Sequence, residues 1–130
     1  MADKKEVARL RLGHLLNVIT DFSDAEYQER VWRRDLGSEV SSYDEDMCIF
    51  FDDMQADSLI DEDWKILGLT KAQASALRRM RDALNAFDAK MPQTRPRSTP
   101  EVLDHPDWPK VREIAKDTLR YFRNKTLFSA

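Results

Sequence analysis

The chain has 130 residues, 42 % of them hydrophobic and 12 aromatic, with 24 acids against 21 bases for a net charge of −3. That length suits one domain around a single buried core, and the apolar content excludes a disordered chain. The sole cysteine, Cys48, excludes an intrachain disulfide and points to a reducing compartment, and no apolar run approaches the roughly 20 residues of a membrane span. Only three Gly and five Pro, among abundant Ala, Leu, Lys, Arg and Glu, favour helix throughout.

Helical spacing starts at once. From Lys4 to Phe22, apolar residues fall at Val7, Leu10, Leu15, Val18, Ile19 and Phe22, extended by Leu12 and Leu16, with Asp3 as N-cap. Arg9, Arg11 and His14 interrupt the leucines, so this is no secretory signal and a soluble cytoplasmic protein is expected. Ser23 to Glu26 reads as a capping box that starts a second helix, ending near Gly37.

After a polar break at Ser38–Ser42, either Ser42 or Asp44 caps a third helix to about Ala56, with Met47, Phe50, Phe51 and Met54 as its expected buried face. Asp57 and Ser58 start a short helical piece through Trp64 that stops at Gly68. Thr70 to Gln73 is another capping box, opening a long helix to about Lys90 with Ala74, Leu77, Met80, Leu84 and Phe87 inward.

A proline-rich loop occupies 91–100. Thr99 as N-cap with Pro100 at the first helical position predicts one turn of helix, and Asp107 caps a last helix containing Val111, Ile114, Ala115, Thr118, Leu119 and Phe122. No segment alternates like a strand. The reading is an all-α, compact single-domain bundle of five to six helices over residues 1–130.

Charge is distributed unevenly along that bundle. Between Asp35 and Asp63 lie eleven acids (Asp35, Glu39, Asp44, Glu45, Asp46, Asp52, Asp53, Asp57, Asp61, Glu62 and Asp63) and no Lys or Arg, while the other 13 acids and 21 bases carry +8. Asp44, Glu45 and Asp46, and the Asp57 and Asp61–Asp63 group, sit at helix starts, where the helix dipole favours negative charge. A solvated charged face needs no further explanation than that.

Within the third helix the case is different. At about 100° per residue, Glu45 and Asp52 align opposite Met47, Phe50, Phe51 and Met54, with Asp46 and Asp53 in a parallel row. Asp53 and Asp57 are like charges four residues apart, which does not help the helix. Ile49 falls among these acids, either as the apolar centre of an interface for a cationic partner or as part of a core that covers the helix more than halfway round.

Other chemistries lack their residues. The 57–63 acids have no glycine for a calcium loop, and neither His14 nor His105 has a Glu three residues before it as di-iron bundles require, so no metal site is expected. Cys48 has no histidine nearby in sequence and lies in an apolar run, so it reads as a buried structural thiol. With no phosphate loop and no nucleophile elbow, neither an enzyme nor a cofactor is expected.

Three basic groups remain: Arg30, Arg33 and Arg34; Arg78, Arg79 and Arg81; Arg95 and Arg97. A helical DNA-binding or regulatory module using Arg78, Arg79 and Arg81 is the alternative reading, set against a sequence pI of about 5.4. A simpler role for some of these arginines is to offset the acidic block from neighbouring helices. Trp32, Trp64 and Trp108 lie near expected helix ends and read as core.

Several runs together resemble a known group: Tyr27 with Val31-Trp32, Cys48 to Asp53 (Cys-Ile-Phe-Phe-Asp-Asp), Trp64 to Leu69 (Trp-Lys-Ile-Leu-Gly-Leu), Leu84 to Asp88 (Leu-Asn-Ala-Phe-Asp), and Asp107-Trp108 through Ala115-Lys116. They are similar to small helical immunity proteins of bacterial contact-dependent growth-inhibition and polymorphic-toxin systems. The resemblance implies a cytoplasmic antidote to a cognate toxin C-terminal domain, often a nuclease with a basic cleft. It carries over no interface residues. The charge argument nominates Glu45, Asp46, Ile49, Asp52, Asp53, Asp57, Asp61, Glu62 and Asp63 as toxin-binding.

Overall fold

A computed structural model of the chain describes residues 3–33, 42–94 and 97–123. Within them it is all-α, with seven helices and no strand. In chain order these are α1 (Lys4–Ser23), α2 (Ala25–Tyr27, continuing as Gln28–Arg33), α3 (Tyr43–Cys48, continuing as Ile49–Asp53), α4 (Ala56–Ser58, continuing as Leu59–Asp63), α5 (Lys71–Asp88), α6 (Thr99–Leu103) and α7 (Trp108–Arg120). The count exceeds the expected five to six because single-turn pieces such as α6 form complete helices. Gly37, Arg34, Arg95, Asp35 and Glu39 lie outside the described residues.

Local sequence sets most boundaries. Asp3 accepts from the Glu6 amide at 2.8 Å, Ser42 caps α3 through the Glu45 amide at 3.1 Å, and Thr70 and Gln73 close their capping box in both directions. Gly68 adopts φ +74 and ends the turn after α4 with paired bonds, Leu69 N–H to the Trp64 carbonyl and Gly68 N–H to that of Lys65.

Three caps differ from expectation, each because a side chain is used elsewhere. Ser23 donates to the Thr20 carbonyl, so Asp24 caps α2 instead. Thr99 donates to the Trp32 carbonyl at 3.0 Å, and Ser98 with Glu101 forms the capping box of α6 one residue earlier. Asp107 makes no cap bond, because its carboxylate pairs with Lys90 and Lys110. Those cations hold the Asp107 carboxyl below its ordinary range, the Lys90 hydrogen bond foremost.

The last helix, α7, packs along both α1 and α5, and α1 also meets the C-terminal halves of α3 and α4. The core centres on Trp108, whose ring lies 5.0 Å from Phe87, 5.7 Å from Tyr43 and 6.1 Å from Phe22, mostly edge-on. Its indole N–H donates to Gln28 Oε1 at 2.9 Å, and Gln28 is itself buried, donating to the Asp21 and Phe22 carbonyls. A glutamine at that depth is tolerated because both ends of its amide are satisfied.

The α1 stripe is Ala8, Leu12, Leu15, Val18, Ile19 and Phe22, whereas Val7 and Leu10, expected inward, are exposed. Trp32 and Trp108 are buried as expected, but Trp64 is half-buried with Lys65 and Arg78 over its ring. Among the described residues, no helix is long and apolar enough to cross a membrane.

Candidate functional site: an acidic face on helices α3 and α4

Helix α3 is rotated relative to its sequence reading. Tyr43, Asp46 and Phe50 are fully buried, while Met47, Phe51 and Met54 are only half-buried. For Phe51 and Met54 a wide turn contributes. Over Ile49–Asp53 the backbone bonds lengthen to five-residue spacing, closing with Met54 N–H to the Ile49 carbonyl at 2.8 Å. Such a turn advances each residue by less than an α-helical step, so a face drawn at constant spacing drifts. Ile49 ends half-buried at the core's edge, between the two readings the sequence left open.

Asp46 therefore leaves the acidic face. It is 1 % exposed and opposite Asp21 of α1, with Oδ2 lacking any hydrogen-bond partner. Burial first, then the charge of Asp21, raises its pKa from 3.8 to about 8, so at neutral pH Asp46 holds a proton and shares it with Asp21. Asp21 is also raised, by burial first and by Asp24. Asp21 was not singled out from the sequence, although it falls three residues after Val18, at the margin of the α1 stripe.

Cys48 is likewise displaced from its expected place. It is exposed rather than buried, with its thiol 3.5 Å from Asp52 Oδ2. The hydrogen bond to Asp52, with further negative charge at Asp53 and Asp44, raises the thiol pKa and so disfavours the thiolate.

Cations from elsewhere in the fold neutralise part of the block, the role anticipated for some of the arginines. Arg81 of α5 meets Asp61 at 2.8 Å and Asp57 at 3.4 Å, with Arg78 3.8 Å from Asp61. Arg97 reaches Asp44 with its amide at 2.9 Å and its guanidinium at 3.6 Å, and also contacts Asp88. Asp63 is buried, not surface-facing, and pairs with Arg11 at 3.1 Å. That guanidinium also donates to the Met54 and Gln55 carbonyls and to Ser58, sealing the bend between α3 and α4.

Four carboxylates of the block remain exposed without an ion pair among the described residues: Glu45, Asp52, Asp53 and Glu62. The first three follow one side of α3, and Glu62 lies on α4, which packs against the end of α3. By contrast, Arg79 pairs with Asp117, so all three arginines of the Arg78/Arg79/Arg81 group already face carboxylates. No three His, Cys, Asp or Glu side chains converge as metal ligands among the described residues. Comparison of the chain with protein-family models, curated proteins and solved structures finds no match.

Proposed function

We infer that the protein is an inhibitor of the immunity type, which covers the basic cleft of a cognate toxin domain, a nuclease by preference, with Glu45, Asp52, Asp53 and Glu62 around Ile49. The observation that carries this reading is the set of four exposed acids without an ion pair among the described residues, where the fold compensates Asp44, Asp57, Asp61 and Asp63. Surface acids without partners gain nothing for stability, whereas together they steer a cationic surface and speed its association. The similarity of the Cys48–Asp53 and Trp64–Leu69 runs to immunity proteins supports the same reading. A DNA-binding role for Arg78, Arg79 and Arg81 has less support, since these side chains are engaged by Asp61, Asp57 and Asp117.

The test is co-expression with the C-terminal domain of any large secreted toxin encoded immediately upstream. Rescue of growth and co-purification are expected. Asp52→Lys with Asp53→Lys should slow association of the purified pair by more than about tenfold at low salt. Unchanged kinetics would remove the acidic face from the mechanism, and retarded DNA mobility by the inhibitor alone would favour the nucleic-acid reading.

A further inference from the structure

Between α3 and the segment preceding α6 lies an open groove of about 450 Å³. Its floor is apolar, formed by the half-buried side chains of Met47 and Phe51. One end is already occupied by the protein's own arginine. Arg97 lies between Asp44 and Asp88, 3.6 and 3.4 Å from their oxygens, and donates a further bond to Gln93 Oε1 at 3.3 Å. Asp88 is held in place by the Tyr43 hydroxyl, which donates to it at 2.7 Å. The other end has the same kind of acceptor and, among the described residues, no cation. There Asp52 is exposed, and its one hydrogen bond among the described residues is a thiol contact from Cys48 at 3.5 Å.

We propose that this groove receives an arginine side chain from a cationic protein partner, its stem along Met47 and its guanidinium between Phe51 and Asp52. Charge complementarity selects the occupant: three carboxylates line the groove against one guanidinium, with Glu45 and Asp53 exposed on the same helix. Arginine suits it better than lysine, because a planar guanidinium pairs with a carboxylate through two bonds and stacks on an aromatic ring, while its methylenes cover apolar surface. At the occupied end Arg97 already bridges two carboxylates, Asp44 and Asp88. The inference deepens the reading of the acidic face as a partner surface, and gives that surface an anchoring pocket in addition to its field.

The probe is N-acetyl-arginine amide, titrated against the full-length protein by NMR at low salt, with the isosteric but uncharged citrulline amide as control. Shifts confined to the Met47 methyl and the Cys48, Phe51 and Asp52 amides are expected, with Kd on the order of 1–10 mM for so small a ligand. Asp52→Asn, an exposed change that leaves the core intact, should weaken binding by about fivefold or more, and citrulline amide should produce no such shifts. Equal shifts from citrulline, shifts elsewhere, or none in the groove would overturn the proposal. Because no toxin is involved, these results are independent of the association test above: slowed toxin association without arginine binding would retain the acidic face and discard the groove.

Discussion

Replacing Asp46 with Asn tests whether the third helix buries a proton along with its carboxyl. In the folded protein the group titrates at about 8, against 3.8 ordinarily, so between those values the native state holds a proton that the unfolded chain releases. Stability from this source is complete below about pH 4 and declines as pH rises towards 8, levelling off above it. The groups that face Asp46 are Asp21, with Asp24 beside it, and Glu45 on its own helix; all are acidic and none offsets the charge. Each pKa unit corresponds to about 1.4 kcal/mol, so the rise from 3.8 to about 8 sets a ceiling of roughly 6 kcal/mol. Sharing of the proton with Asp21 lowers the expected gain below that ceiling. Asn has nearly the same shape and can donate its amide to Asp21, as the protonated acid does. Urea denaturation of both proteins from pH 4 to 9 is the assay. Asp46→Asn should match the parent near pH 4 and exceed it increasingly up to pH 8, with a Tm several degrees higher there. Parallel pH profiles, or a variant less stable at pH 8, would refute the reasoning.

Two further substitutions probe the bend that presents the acidic face. Arg11→Met should cost roughly 2–4 kcal/mol in urea denaturation, since it strands the buried Asp63 carboxylate and the Met54 and Gln55 carbonyls, and Asp63→Asn in the same chain should recover part of that loss. Gln55 adopts φ +49 and ψ +59. That left-handed conformation suits glycine, so Gln55→Gly should raise stability by roughly 0.5–1 kcal/mol, while the β-branched Gln55→Val should lower it by about 1 kcal/mol, both read as shifts in Tm.

Much of the fold is legible in the sequence because its signals are local. Asp3, Ser42 and the Thr70–Gln73 box act on amides within three residues, and Gly68 supplies a backbone angle that its neighbours disfavour. The misplaced caps at Ser23 and Thr99 failed for a nonlocal or competing reason: each hydroxyl found another carbonyl, and Thr99 found one 67 residues away. The candidate site was less legible. Glu45, Asp52 and Asp53 stand exposed as constant helical spacing placed them, but the side of α3 that packs against Asp21 of α1 takes Asp46 inward and leaves Cys48 outward.

The sequence alone determined that the chain is helical, where most helices begin, and that its acids are concentrated between Asp35 and Asp63. Those properties depend on residue type and short spacing, which the chain carries before it folds. Only the tertiary structure decided which acids remain available. Arg11, Arg81 and Arg97 approach Asp63, Asp61 and Asp44 from positions 52, 20 and 53 residues distant, and Asp46 meets Asp21 only when α3 packs on α1. Electrostatic compensation depends on distance in space, so a run of eleven like charges could be counted in the sequence and sorted only in the fold.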